Sequence, residues 1–325
     1  MNTKLLVQSD DYGISPAVSA GILYGITHGI IRNTGAFVNM PWSAECLKWI
    51  FPYLDKVALG LDLNLTTGYP LSSPEEISSL TRPDGSFYSS WESRKLDKTT
   101  PSGEHTDSQE VSRELEAQLE RFIQLVGHKP AYIHPHAYTT PRILAQEKDL
   151  AKRAGVPFSV DCFERIFGRN FSDILMPWYK KPPTPENQLD SSLKDYLLTQ
   201  SNAILSQEYS LLVGHMGYVD KELIELSSYN LYRLNDLNAV TSPEILTWVD
   251  KNSIELITYH DLPKRVVKDF FIKFTKNPQK RCQKHRMAPD TSFDRLHFSV
   301  QQVFAEIRIV WQLVDIWLPA PLDFG

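Results

Sequence analysis

The sequence predicts an α/β fold in which βα units surround a parallel sheet. Short apolar runs alternate along the chain with amphipathic helical patterns, the order of elements that such units require. The length of 325 residues suits about two average domains or a single α/β barrel. Polar side chains follow almost every apolar run, as expected where catalytic groups occupy the carboxyl ends of parallel strands.

Seven short runs that are rich in aliphatic and β-branched residues are predicted to be strands. They are Lys4–Gln8, Thr34–Val38, Val57–Leu65, Ala131–Ile133, Phe158–Val160, Leu211–Val213 and Ile254–Thr258.

Helices are predicted between these runs from capping residues and from apolar residues at three-and-four spacing. Ser15 and Pro16 supply an N-cap and a first-turn proline, so a helix is expected over the apolar residues Val18–Ile26, before Gly29. The other predicted helices are Ser108–Val126 before Gly127, Pro141–Ala154 before Gly155, and Pro243–Lys251 after Ser242.

Two long connections, Tyr69–Asp107 and Asp161–Asp190, are expected to be functional excursions, because compact domains seldom contain loops of this length. Residues 1–262 are predicted to form the barrel, and residues 263–325 a C-terminal appendage. Its basic run followed by an apolar stretch suits a partner-binding or oligomerisation element. The interpretation we favour is a solvated basic face followed by a helix that packs on the barrel.

Composition excludes several classes of function. A net charge of −5 gives no positive field for a nucleic-acid partner. Cys46, Cys162 and Cys282 form no CxxC pair, which argues against a disulfide framework and against a thiolate zinc site. We find neither the apolar region of a signal peptide nor an uncharged stretch of about 20 residues. A cytoplasmic protein without a membrane partner is therefore expected, with a homodimer as the default assembly.

The pair Asp10-Asp11 follows the first predicted strand. Neighbouring side chains on a regular strand point to opposite faces, so both carboxylates reach one site only if the backbone turns there, as Gly13 allows. One aspartate could then hold a metal while the other removes a proton from water. The alternative is that one of them caps the following helix.

The fourth predicted strand leads into His134 and His136, whose spacing suits metal ligands but also ordinary loop histidines. Asp62 lies within an apolar run, where an unpaired carboxylate is costly, so a cation or several donors are expected beside it. His215 follows the sixth predicted strand between two glycines; the alternative is a core histidine with one hydrogen bond. Asn39 and Asn64 are further polar residues at strand ends.

Ordered motifs between Lys4 and Leu262 resemble those of the YdjC-like carbohydrate deacetylases, which include chitooligosaccharide deacetylases. The motifs are VQSDDYG, IIRNTGAFVNMP, ALGLDLNLTTGYPL, KPAYIHPH, LLVGHMGY, YNLYRLNDLNAVTSPEI and IELITYHDL. The resemblance implies a distorted, incomplete TIM-like (β/α) barrel. It also implies an enzyme that uses a divalent cation to remove acetyl groups from N-acetylated sugars, such as a chitobiose-like substrate with or without a 6-phosphate.

The resemblance also implies roles for individual residues. Asp10 corresponds to the general base, and His215 to the acid that protonates the leaving amine. Asp11 and His136 correspond to metal ligands, and Arg233 lies near the site. Candidates for substrate binding are Tyr12, Asn39, Asn64 and Arg233, although Tyr12 suits the core equally well.

Two residues depart from the family pattern in a reciprocal way. Asp62 stands where the family has a metal-binding histidine, and His134 stands where the family has an aspartate. An acid is gained at one position and lost at the other, which suggests a rearranged metal site that includes Asp62 and His134. A set of two aspartates and one histidine favours Mg²⁺, with Mn²⁺ and Zn²⁺ as alternatives.

The function expected from these residues is therefore metal-dependent deacetylation of an acetylated sugar. One rival is a glycosidase or phosphoesterase in the same barrel, although adjacent aspartates are a poor match for the separated carboxylates of a glycosidase. The other rival is a sugar-binding relative without catalytic activity, which the departures at Asp62 and His134 would suit.

Overall fold

The computed structural model describes residues 2–168 and 176–263. Their strands form one six-stranded sheet in the order β4-β3-β2-β1-β5, with β6 also paired to β1, and every pairing is parallel. The strands are β1 Lys4–Tyr12, β2 Asn33–Ala36, β3 Ala58–Leu63, β4 Ile133–Pro135, β5 Tyr209–Gly214 and β6 Glu255–Ile257. This parallel α/β sheet confirms the predicted fold class and agrees with a distorted, incomplete barrel.

Helices connect the strands and cover the sheet. They are α1 Pro16–His28, α2 Ser43–Ile50, α3 Ser90–Asp97, α4 Ser108–Val126, α5 Pro141–Ala154, α6 Ser159–Arg165, α7 Pro185–Leu189, α8 Leu193–Thr199, α9 Ser201–Leu205, α10 Lys221–Leu226, α11 Leu231–Val240 and α12 Pro243–Lys251. Short 3₁₀ turns occur at Phe51–Tyr53, Pro74–Glu76 and Tyr259–Asp261. None of the helices in the described ranges has the length and apolar character needed to cross a membrane.

The helix ends follow the local signals in the sequence. Ser15 caps α1, with its side chain accepting a hydrogen bond from the Val18 N–H at 3.2 Å. Helix α4 ends at Gly127, whose φ of 86° lies in the left-handed region that glycine enters without a steric penalty. The predicted helices Ser108–Val126, Pro141–Ala154 and Pro243–Lys251 are confirmed with the same bounds.

The prediction of a strand at Phe158–Val160 is wrong. Phe158 makes one isolated parallel bridge to Ile133, and helix α6 begins at the next residue. The Cys162 N–H bonds to the Phe158 carbonyl at 3.2 Å, so the backbone has already turned into a helix. The described chain therefore has six strands and not the seven predicted. The appendage from residue 264 onward lies outside the described residues.

Strand β1 presents different residues to the two faces of the sheet. Leu5 and Val7 belong to the apolar layer beneath the helices, whereas Leu6 belongs to a second buried cluster, together with Ala58, Val213 and Ile257 from other strands. Because side chains alternate along a strand, Gln8 and Asp10 share the face of Leu6. Asp10 therefore rises from the face that carries this second cluster.

Two glycines make room on the sheet. Gly35 of β2 and Gly60 of β3 are paired in register. A Cβ atom on Gly60 would lie 2.5 Å from the Tyr132 ring, which stacks on Tyr259 with the ring centroids 3.8 Å apart. The flat surface at Gly60 thus allows the tyrosine pair to pack against the sheet.

We expect Gly60→Ala to lower the free energy of unfolding by about 1 to 3 kcal/mol, because the added methyl group collides with a tyrosine ring that has no space to move. Chemical denaturation measures the effect. Glu120→Ala, on the exposed side of α4, is the control and should leave the midpoint unchanged. Equal stability of Gly60→Ala and wild type would contradict the close packing described.

Candidate functional site

Asp10 is held at both carboxylate oxygens. Its Oδ1 accepts a hydrogen bond from Gln8 Nε2 at 2.6 Å, and its Oδ2 lies 3.5 Å from His134 Nε2. The Tyr259 hydroxyl donates to Gln8 Oε1 at 2.7 Å and so determines which way the Gln8 amide points. Asp10 is buried, and this chain of contacts gives its carboxylate a defined orientation.

His134 is placed between groups from three other elements. Its Nδ1 lies 2.7 Å from Ser159 Oγ at the start of α6, and its Nε2 faces Asp10. Burial alone would lower the pKa of His134, but the neighbouring Asp10 and Asp62 carboxyl groups raise it to about 9. His134 is therefore an imidazolium at neutral pH and supplies positive charge beside Asp10.

Asp11 is completely buried among cationic and polar partners. Arg233 Nη2 donates to its Oδ2 at 2.6 Å, and His136 Nδ1 lies 2.8 Å from its Oδ1. Burial would raise the pKa of Asp11, but His136 and Arg233 hold it well below its usual range. The backbone of Asp11 has a φ of 72°, a left-handed conformation that side-chain-bearing residues seldom adopt.

Asp62 lies directly beneath this turn. Its Oδ2 accepts a hydrogen bond from the Asp11 N–H at 2.8 Å, whereas its buried Oδ1 has no hydrogen-bond partner. Burial and the nearby Asp10 raise the pKa of Asp62 well above its usual range. Asp62 and His134 are also paired in register between β3 and β4, so the two departures from the family pattern face each other across one ladder position.

His215 follows β5 directly and borders the same group of residues. Its Nε2 lies 3.8 Å from Asp11 Oδ2, and its Nδ1 is buried without a hydrogen-bond partner. Burial lowers the pKa of His215 to about 4, so the ring is neutral at neutral pH. The side chains of His215 and His136 are 18% and 12% exposed, whereas Asp11 is fully enclosed, so a substrate must approach from the side of the two histidines.

The backbone that carries His215 is supported by a residue that the sequence analysis missed. Asp236 of α11 accepts hydrogen bonds from Trp178 Nε1 at 2.8 Å and from the Tyr179 hydroxyl at 2.6 Å, and the His215 N–H also stabilises it. Burial raises the pKa of Asp236 to about 7, despite these donors. In the sequence, the one indication of a role for Asp236 is its position in the motif that contains Arg233.

A second residue other than glycine with a left-handed backbone conformation lies beside the site. Ala137, directly after His136, has a φ of 51°, and its carbonyl accepts a hydrogen bond from Arg94 Nη2 at 2.6 Å. Arg94 belongs to α3, within the predicted excursion Tyr69–Asp107. The excursion therefore supports the turn that presents His136, which is consistent with a functional role for this segment.

Three of the predicted substrate-binding residues have other partners. The Tyr12 ring is fully buried and its hydroxyl donates to the Cys46 carbonyl, so it packs in the core and is not available to stack on a sugar. Asn64 is also buried and accepts from the N–H groups of Thr66 and Thr67. Asn39 donates to the carbonyls of Thr67 and Tyr69. The two asparagines hold the loop that follows β3.

The predicted metal ligands do not all converge. Within residues 2–168 and 176–263, no three His, Cys, Asp or Glu side chains are grouped as a metal site. Asp11 and His136 nevertheless fit two positions around one cation, because Asp11 Oδ1 lies 2.8 Å from the ring nitrogen and no donor meets it with hydrogen-bond geometry. A carboxylate oxygen and an imidazole nitrogen are both ligands that proteins use for divalent cations.

The chain is similar in sequence to a known family and to several named proteins. A family model described as "YdjC-like protein" matches residues 4–251. "Carbohydrate deacetylase 2" of Listeria innocua is 29% identical over 265 residues, which cover 81% of this chain and 100% of that protein. "Carbohydrate deacetylase" of Clostridium beijerinckii is 26% identical over 267 residues, which cover 80% of this chain and 100% of that protein.

A solved structure shares the fold. The crystal structure of a protein from Enterococcus faecalis, described as a cellobiose-phosphate cleavage protein, superposes with a TM-score of 0.63. It is 23% identical in sequence, and the match covers 80% of this chain and 98% of that one.

We expect Asp236→Ala to destabilise the protein strongly, because two buried side-chain donors and the His215 N–H lose their acceptor. Each donor that stays unsatisfied costs about 1 to 3 kcal/mol. Thermal unfolding measures the loss, with the exposed Asp250→Ala on α12 as the control. If the two variants melt at the same temperature, Asp236 does not support this part of the site.

Proposed function

The chain belongs to the YdjC-like protein family, and from that premise we propose that it hydrolyses the acetamido group of an N-acetylated sugar and releases acetate. The observation that carries the proposal is the buried pair Asp10-Asp11 in two different settings. Asp11 is tied to Arg233 and His136, while Asp10 is oriented by Gln8 and His134. Two adjacent aspartates are thereby prepared for different tasks.

Asp11 and His136 are the residues that would hold a divalent cation, for which we propose Mg²⁺, with Mn²⁺ and Zn²⁺ as alternatives. A cation there supplies Lewis-acid polarisation of the acetyl carbonyl and stabilises negative charge on its oxygen. The Arg233 guanidinium compensates the charge on Asp11 Oδ2, so Oδ1, which has no hydrogen-bond partner, is the oxygen that would be available to a cation.

Asp10 acts as the general base. It takes a proton from water as the water oxygen bonds to the acetyl carbon and the carbonyl electron pair moves onto oxygen. Gln8 and His134 hold the carboxylate during this step and compensate its charge. When the tetrahedral intermediate collapses, the C–N bond breaks and the amine nitrogen receives a proton.

His215 is the group we propose as proton donor to that nitrogen, because it lies on the accessible side of the site. Its resting ring is neutral, with a pKa of about 4. It must therefore gain a proton within the cycle, and the proton that Asp10 removes from water supplies it, so that Asp10 returns to the carboxylate and no proton is left over. Negative charge that develops on the intermediate, added to that of Asp10 and Asp11, favours the imidazolium form at that stage.

N,N'-Diacetylchitobiose and its 6-phosphate are the substrates we propose, in line with the family resemblance. Acetate release by chelator-treated protein, with Mg²⁺, Mn²⁺, Zn²⁺ or no cation added back, tests this proposal. We expect acetate only when a cation is present. Release of free sugar without acetate would indicate a glycosidase instead, and sugar binding without either product would indicate a relative that has lost its chemistry.

Asp10→Asn should lower kcat by about two to four powers of ten, because the amide keeps the shape of the carboxylate but cannot accept the proton. The steady-state rate of acetate release is the measurement. Asp55→Asn, at an exposed position, is the matched control and should retain wild-type activity. Full activity of Asp10→Asn would assign the base to another residue.

A further inference from the structure

The backbone at Asp11 departs from strand geometry, and this departure changes the direction of the Asp11 carboxylate. Leu5 and Val7 pack under the helices, and the alternation of β1 would send Asp11 to the same side, away from Asp10. With a φ of 72°, Asp11 instead presents its carboxylate to Arg233, His136 and His215. The contacts of the Asp11 carboxylate therefore depend on the interaction that stabilises this backbone conformation.

Asp62 is the side chain that contacts the turned peptide. Its Oδ2 accepts the Asp11 N–H at 2.8 Å, and the residue is 1% exposed. The sheet is built to admit this carboxyl group, because a Cβ atom on Gly35 would lie 1.6 Å from Asp62 Oδ1. β2 therefore lacks a side chain at the position that the carboxyl group occupies.

His134, which is paired with Asp62 in register, supports the other aspartate. Its Nε2 faces Asp10 Oδ2 at 3.5 Å, and its Nδ1 is anchored at Ser159 Oγ. The two residues that depart from the family pattern thus lie beneath the aspartate pair. One contacts the backbone of Asp11 and the other the carboxylate of Asp10.

We propose that Asp62 is a positioning residue that holds Asp11 in its left-handed conformation through the Asp11 N–H, and that it is not a metal ligand. This inference deepens the proposed function and rests on it for its kinetic readout. It explains why β2 has a glycine opposite the carboxyl group.

The variants Asp62→Asn and Asp62→Ala separate the two roles. Asparagine keeps an oxygen that can accept the Asp11 N–H but is a poor cation ligand, so we expect unchanged Mn²⁺ affinity and a kcat close to that of wild type. Alanine removes the acceptor, so kcat should fall about 100-fold through misplacement of Asp11, with little change in KM. A loss of Mn²⁺ affinity of about tenfold or more in Asp62→Asn would overturn the proposal.

A double-mutant cycle with Gly35→Ala tests the packing that the proposal requires. In the wild-type background, the added methyl group should displace the Asp62 carboxyl group and lower both kcat and the melting temperature. In the Asp62→Ala background the space is empty, so the same substitution should have no further effect. Additive effects of the two substitutions would contradict the proposed contact.

The exposed variant Asp55→Asn is the control for all of these measurements. If even the wild-type protein releases no acetate, the proposed function fails, but melting temperatures and Mn²⁺ titration still decide the role of Asp62. Non-additive melting temperatures together with an unaltered Mn²⁺ affinity in Asp62→Asn would then support the positioning role. Additive temperatures would refute it.

Discussion

The peptide N–H of Asp11, accepted by the buried carboxyl group of Asp62, is the contact on which the arrangement of the site depends. A left-handed backbone costs most residues other than glycine about 1 to 2 kcal/mol; aspartate adopts it more readily, and contacts with neighbouring groups select it at Asp11. The Asp62 carboxyl group, on β3, stabilises this conformation, and the absence of a side chain at Gly35 leaves space for that carboxyl group. As a result, two adjacent carboxylates serve one site although a regular strand would separate them.

The same constraint explains how two identical side chains acquire different properties. Asp11 is enclosed and faces Arg233 and His136, so it stays ionised and suits a permanent electrostatic task. Asp10 has different neighbours, because Gln8 and His134 hold its two carboxylate oxygens. The difference arises from the surroundings of each carboxylate, which is how proteins commonly separate a base from a charge-holding residue.

Much of the framework was predictable from local signals. Ser15, Gly127 and Gly155 mark helix ends through capping and left-handed backbone, and these effects need no tertiary information. The prediction of a strand at Phe158–Val160 is wrong because a short apolar run suits a buried helical turn equally well. Its pairing with β4 ended after one bridge, and only the tertiary packing decided between the two.

The sequence predicts the site residues that follow the strands, but it does not predict the residues that support them through hydrogen bonds. Asp10, Asp11, His136 and His215 come together as the rule for parallel sheets predicts. Gln8, Tyr259 and Asp236 lie within the quoted motifs, but the sequence does not show what they do, because their importance lies in hydrogen bonds between elements distant in sequence. The sequence leaves two roles open for Tyr12, because an aromatic side chain next to a catalytic motif suits the core as well as a sugar, and its complete burial decides for the core.

Anomalous diffraction from crystals grown with Mn²⁺ would show which side chains bind the cation. We expect one peak within bonding distance of Asp11 and His136, with the Asp62 carboxyl group still hydrogen-bonded to the Asp11 N–H. A peak bonded to Asp62, with the Asp11 peptide released into an ordinary strand conformation, would contradict this expectation.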